Sequence, residues 1–231
     1  MIWELGLAGA AAAGLGHGIA GRSSSLFGPC VWRGPRRLPR LALTFDDGPS
    51  EATPEVLDLL DVFAIRAAFF QCGRNIERLP DLAREVHRRG HEIGNHTYSH
   101  PRLLFRSPAR IRREIGATQQ AARLATGVEP RLFRPPYGLR WFGLRPALRE
   151  HGLRLVAWTV IGHDWEWEAG EIARHVLAHV SPGAIICLHD GDRVSPKVDR
   201  RRTILALRHL LPRLYERGYH FVPLGEMIAH S

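Results

Sequence analysis

Apolar residues alternate along Leu41 to Phe45, and the run stops on Asp46-Asp47-Gly48-Pro49. The pattern predicts a buried strand that ends abruptly on two adjacent carboxylates. Thr53-Pro54-Glu55 marks a helix start, with a capping hydroxyl and a proline suited to the first turn. Val56, Leu57, Leu60 and Phe63 continue one helical face. Ile65 to Phe70 is β-branched and aromatic and predicts the next strand. Asp81 to Arg89 predicts a short helix closed by Gly90, and His91 to Gly94 a third strand. Ser107-Pro108 opens a longer helix that Gly127 ends. A short strand is expected over Arg131 to Arg134, a helix over Leu144 to His151 and a strand over Arg154 to Ile161. A helix over Glu168 to Val180, a strand over Ala184 to His189 and a helix over Asp199 to Arg217 follow. A last strand over His220 to Leu224 precedes a short helix. Strands alternating with helices imply an α/β fold with a parallel sheet, covered on both faces or closed as a barrel. About seven βα units in roughly 190 residues suit a small (β/α) barrel better than an open sheet, although periodicity alone does not separate the two.

Polar residues gather just after the predicted strands. The first delivers Asp46 and Asp47, and the third delivers Asn95-His96-Thr97-Tyr98-Ser99-His100. Arg134-Pro135-Pro136-Tyr137-Gly138, His163-Asp164-Trp165 and His189-Asp190-Gly191 follow three more. In parallel α/β folds the C-terminal strand ends share one face, where active sites form. Two adjacent carboxylates at a strand end are costly to desolvate unless a cation, a guanidinium or water compensates them. An Asx-type turn in solvent is the alternative. His96 and His100 are spaced to share one side of a helical turn, and with an Asp they make a competent site for a borderline divalent cation. The alternative is two surface histidines. A guanidinium at Arg134 can hold a carboxylate ionised and oriented, or it can sit solvated in a proline-rich turn. Pro135-Pro136 stiffen the backbone and remove donors, so the N–H groups near Tyr137 can be aimed. His189 emerges from a buried strand and is either a proton donor or a core histidine bonded to backbone. Asp164 can supply the carboxylate that keeps it protonated.

Composition changes this picture little. The 231 residues suffice for one sizeable α/β core, and 45% hydrophobic with 24% charged residues is ordinary for a globular chain. The net charge of +9 permits an acidic polymer, an anionic membrane or nucleic acid as partner. Lys197 is the only lysine, however, and no basic run interleaved with aromatics forms a nucleic-acid groove, so nucleic acid is not expected as a partner. Arginines such as Arg106, Arg110, Arg112, Arg113 and Arg200 to Arg202 read as solvated helix faces. Cys30, Cys72 and Cys187 cannot all pair and show no CxxC spacing, so each is expected as a small buried hydrophobe. Ile2 to Ala20 is apolar, rich in Ala and Gly, and lacks a preceding basic segment, which argues against a standard signal peptide. Membrane association through residues 1–21 is the expectation it raises, with Arg22 to Arg40 as an irregular lead-in. The division expected is an apolar segment and linker over 1–40 and a catalytic domain over 41–231. Nothing in the sequence bears on the oligomeric state.

Taken together and in order, Thr44-Phe45-Asp46-Asp47-Gly48-Pro49, His96-Thr97-Tyr98-Ser99-His100 and Arg134-Pro135-Pro136-Tyr137-Gly138 resemble the polysaccharide deacetylases with a NodB-homology domain, carbohydrate esterase family 4. Asp164-Trp165 and Leu188-His189-Asp190 extend the resemblance, which covers about Leu41 to Leu224. It implies a distorted (β/α) barrel and removal of N-acetyl groups from amino sugars in glycans such as chitin or peptidoglycan. It implies that Asp47, His96 and His100 bind a divalent metal, usually zinc, although a His₂Asp set also accepts cobalt, nickel or iron. Asp46 would be the general base, held by Arg134, and His189 the general acid, tuned by Asp164. Tyr137, Pro136 and Trp165 would border the oxyanion and the sugar. Adjacent residues on an extended chain point to opposite sides, so Asp46 and Asp47 can divide base and metal duties. Two positions depart from the family pattern. Ile161 stands where another Asp is usual, which is expected to loosen the tuning of His189, and Cys187 stands where Leu is usual. Two other readings are a deacylase of a lipid-linked or small amino sugar and a non-catalytic protein that binds a sugar polymer.

Overall fold

The computed structural model describes residue 14 and residues 16–229. Most of the apolar N-terminal stretch, and with it the expected membrane segment, lies outside the described residues. Among the described residues no helix is long and apolar enough to cross a membrane.

The strands are β1 (Cys30–Val31), β2 (Arg40–Asp46), β3 (Ala68–Gln71), β4 (Glu92–Asn95), β5 (Leu132–Phe133), β6 (Arg154–Val156), β7 (Val160–Ile161), β8 (Ile185–His189) and β9 (His220–Phe221). Eight of them follow the order β1-β6-β5-β4-β3-β2-β8-β7, with β9 on the start of β2, and every pairing in this sheet is parallel. The helices are α1 (Thr53–Val62), α2 (Gly73–Arg78), α3 (Pro80–Arg88), α4 (Pro108–Thr126), α5 (Leu144–Glu150), α6 (Ala169–His179), α7 (Arg201–Glu216) and α8 (Leu224–Ile228).

The predicted single strand over Arg154 to Ile161 is two strands, β6 next to one end of this order and β7 at the other. The Ala157 N–H bonds the Val31 carbonyl of edge strand β1, and the Thr159 N–H bonds the Ile185 carbonyl of β8, next to the other edge. A chain of three residues spans only about 10 Å, so the two sheet edges are drawn together and the sheet must curl. Curling gives each strand an outer and an inner face, and the period of two sorts the residues. Leu41, Leu43, Phe45, Phe69, Ile186 and Leu188 face outward into one core with α1, α6 and α7. Ala42, Ala68, Phe70 and Ile185 face inward, where Leu224, Met227 and Ile228 of α8 pack against them.

The lead-in over Arg22 to Arg40 is more tightly built than a linker. It contributes β1, which pairs Cys30 with Leu155 and Val31 with Val156. Fully buried Arg140 donates to the Ser24 carbonyl at 2.6 Å and to the Gly21 carbonyl. Helix α2 was not predicted, being short and without an apolar stripe. The long helix starts and stops as its end residues require. The Ser107 side chain accepts from the Arg110 N–H, and Gly127 closes α4 in the left-handed conformation, φ 79.

Candidate active site

Inward parity alone places Thr44 and Asp46 on one line of β2, and Cys187 and His189 on one line of β8. The register then pairs Thr44 with Cys187 and Asp46 with His189. Arg134, just past β5, reaches the same interior with no exposed surface. Its Nη1 donates to Asp46 Oδ1 at 2.6 Å and to Thr44 Oγ1 at 2.8 Å, and its Nη2 donates to the Ala157 carbonyl at 3.1 Å. The guanidinium lies 4.1 Å from the Phe70 ring centroid, which shields the pair from water.

Asp47 does not alternate away from Asp46. Strand β2 ends at Asp46, and Asp47 takes φ 75, so a left-handed step rather than the pleat separates the two carboxylates. Both therefore serve one cleft. Asp47 Oδ2 accepts the Arg193 N–H at 2.9 Å. Asp47 Oδ1 is buried without a hydrogen-bond partner and faces His100 Nε2 at 3.0 Å and His96 Nε2 at 3.4 Å. Burial pushes the Asp47 carboxyl up, but His100 and His96 outweigh it and hold the group well below the usual carboxylate range.

His96 and His100 are not on a helical turn. They lie in the loop after β4, where Thr97 has φ 64 and His100 φ 54. These left-handed steps, unfavourable for side-chain-bearing residues, bring the rings to 5.1 Å between centroids. His96 Nδ1 donates to the Arg134 carbonyl at 2.7 Å, which leaves the Nε2 lone pair free. The ligand atoms of Asp47, His96 and His100 all lie within 4.8 Å of one another. Tetrahedral ligands at about 2.0–2.1 Å from a zinc-like ion stand about 3.3 Å apart. The orphaned Oδ1, the fixed His96 tautomer and this spacing all fit a divalent cation.

Across the cleft, His189 Nδ1 meets Asp164 Oδ1 at 2.8 Å, and Asp164 Oδ2 accepts the His189 N–H at 2.8 Å and Thr203 Oγ1 at 2.7 Å. Burial alone would lower His189, but the Asp164 charge and hydrogen bond raise it to about 9. The Ile161 departure therefore leaves His189 tightly held, because Asp164 makes both contacts. Trp165, 49% exposed, stands edge-on to His189 with centroids 5.1 Å apart. Tyr137, 44% exposed, lies in a 3-10 turn with Pro136 and Gly138, at φ 59, and packs edge-on against His100. These contacts bring Asp46, Arg134, Asp47, His96, His100 and Tyr137 to one side and Asp164, His189 and Trp165 to the other, with Pro136 in the turn beside Tyr137.

Four supporting residues were not foreseen. Asn75 donates to the Asp47 carbonyl at 2.8 Å, and Arg193 offers its N–H to the same residue. Thr203 braces Asp164, and Cys187 Sγ lies 3.5 Å from Asp46 Oδ2 instead of packing as a plain hydrophobe. Only Cys187 carried a signal, its i, i+2 spacing from His189. Gly191 supports the turn from below: a Cβ there would come 2.2 Å from the Asp47 carbonyl oxygen. Gly191→Ala is expected to lower stability by about 1–3 kcal/mol and to weaken metal binding, read by chemical denaturation and metal titration. An unchanged metal affinity would show that Asp47 does not need this turn.

The curled parallel sheet thus gathers a group of residues that could hold a divalent cation beside a buried acid–base set. The family model described as polysaccharide deacetylase matches residues 33–156, and the chain belongs to that family. Family membership makes it an amide-bond hydrolase and implies a divalent metal. A peptidoglycan-N-acetylglucosamine deacetylase of Bacillus cereus is 36% identical over 211 residues, covering 87% of this chain and 72% of that protein. A chitooligosaccharide deacetylase of a Bradyrhizobium species is 37% identical over 194 residues, covering 80% of this chain and 89% of its own. Among solved structures, a peptidoglycan N-acetylglucosamine deacetylase in complex with 4-naphthalen-1-yl-N-oxidanyl-benzamide superposes with a TM-score of 0.82 at 34% identity, covering 87% of this chain and 94% of that one.

Proposed function

We propose that the protein removes N-acetyl groups from amino sugars of a glycan of the peptidoglycan or chitooligosaccharide type, with zinc as its metal. The supporting observation is one cleft in which a carboxylate held by an arginine lies beside a His₂Asp cation site, Asp46 Oδ2 being 4.0 Å from His96 Nε2. Asp47, His96 and His100 would hold the metal, which when bound supplies Lewis-acid polarisation of the amide carbonyl and acidifies water. Asp46, fixed by Arg134 and Thr44, accepts the proton of the attacking water. The Tyr137 backbone N–H faces the developing oxyanion. His189 Nε2, with Nδ1 anchored on Asp164, donates its proton to the leaving amine, which departs poorly without it. Trp165 and Pro136 border the sugar.

The test is acetate release from chitooligosaccharides and from peptidoglycan after chelation and readdition of zinc or cobalt. Wild type is expected to regain activity on readdition, while Asp46→Asn and His100→Ala fall by about 10²–10⁴-fold. Equal acetate release from all three proteins would show that the site is wrongly assigned.

A further inference from the structure

Cys187 gives the interior a second set of metal-binding atoms. Asp46, Cys187 and His189 offer ligand atoms that all lie within 4.8 Å of one another. None of them belongs to the Asp47, His96 and His100 set. Asp46 and His189 each keep one ligand atom beyond their anchoring contacts, and Cys187 Sγ, which also accepts from Arg134 Nη1 at 3.6 Å, supplies the third. Asp46 gives Oδ1 to Arg134 and turns Oδ2 to Cys187. His189 gives Nδ1 to Asp164, which leaves Nε2. The 3.5 Å between Cys187 Sγ and Asp46 Oδ2 matches the edge of a tetrahedral site, since zinc–sulfur at about 2.3 Å and zinc–oxygen at about 2.0 Å subtend about 3.5 Å. Cys187 is fully buried, while Tyr137 and Trp165, which pack against His100 and His189, are exposed. A leucine, usual at this position in the family, has no such ligand.

We propose that Asp46, Cys187 and His189 form a second, inhibitory site for a thiophilic divalent cation, zinc or cadmium. On binding, the Cys187 S–H bond breaks and His189 Nε2 gives up its hydrogen. Both protons pass to water, and the sulfur and nitrogen electron pairs bond the cation, with no change of oxidation state. The carboxylate and thiolate together balance its charge beside Arg134. The occupied site removes both the base and the acid from the reaction. This inhibitory consequence rests on the function proposed above; the binding itself does not.

The experiment titrates cadmium into the full chain carrying Cys30→Ser, which removes the half-buried thiol of β1, with Cys187→Leu and Cys187→Ser added separately. The parent is expected to bind two cadmium ions and to develop the ultraviolet thiolate–cadmium charge-transfer band with the second. Both Cys187 variants should bind one and lack the band. With zinc, acetate release by the parent should fall by about 10²-fold between the first and second equivalents, the contribution of a positioned acid–base pair, while each variant's activity stays flat over that range. A parent that binds one ion without the band, or a band that survives both substitutions, overturns the site. Binding with the band but without inhibition overturns the inhibitory role. If no sample releases acetate, the proposed activity fails, while stoichiometry and absorbance still decide the site.

Discussion

Replacing Arg134 with methionine is expected to lower stability by about 3–5 kcal/mol and to stop turnover. Arg134 is fully buried and Asp46 is 4% exposed, so the substitution leaves a carboxylate inside the barrel with its guanidinium gone. The Arg134 contact to Asp46 is 2.6 Å, and Thr44 and the Ala157 carbonyl lose their donor as well. Adding Asp46→Asn to this variant should restore much of the stability and none of the activity, because a neutral amide tolerates the dry interior better than an unpaired charge. Urea denaturation of the four proteins measures the coupling. A loss below about 1 kcal/mol for Arg134→Met would mean that the pair behaves like an exposed ion pair and does not hold Asp46 in place.

Asp164→Asn should shift the alkaline side of the pH–rate profile. Against burial, which lowers it, His189 is raised from 6.5 to about 9, chiefly by Asp164 and to a smaller extent by the Asp47 and Asp46 charges. As an acid it is therefore charged throughout the neutral range in the wild type. Without the Asp164 charge its value falls toward 6.5, with Asp47 and Asp46 still holding it up in part, and at pH 8 the protonated fraction falls by up to about 30-fold. The same shift affects stability. The folded-state value lies above the unfolded one, so the stabilisation is complete below pH 6.5 and disappears as pH rises through about 9. Its size is about 3 kcal/mol. Profiles of kcat/KM and of denaturation midpoint between neutral and alkaline pH check both effects. Coincident alkaline limbs in wild type and Asp164→Asn would remove His189 from the acid role.

Sequence pattern carried the order of strands and helices, and the polar residues at strand ends, further than the way the strands pair. The strand that ends on Asp46-Asp47, the histidine pair and the Arg-Pro-Pro-Tyr turn were legible because buried strands and stiff turns leave strong local marks. Arg154 to Ile161 misled for the opposite reason. Between Arg154 and Ile161 every residue but Thr159 is apolar, and composition does not show that Ala157 and Thr159 bond to different strands, β1 and β8. The histidine loop misled as well, since i, i+4 spacing suits a helix and also suits a loop with left-handed steps at Thr97 and His100.

The sequence by itself determined which residues share a strand face. The period of two sets Thr44 with Asp46 and Cys187 with His189, and it sets them inward once Leu41, Leu43 and Phe45 claim the outer core. The tertiary structure alone decided which of these lines lie side by side. Register pairs Asp46 with His189, curvature brings Arg134 across to Asp46, and the left-handed step at Asp47 turns its carboxylate toward His96 and His100. Hydrogen-bond register and sheet closure depend on partners far away in the chain, and no local pattern records those partners.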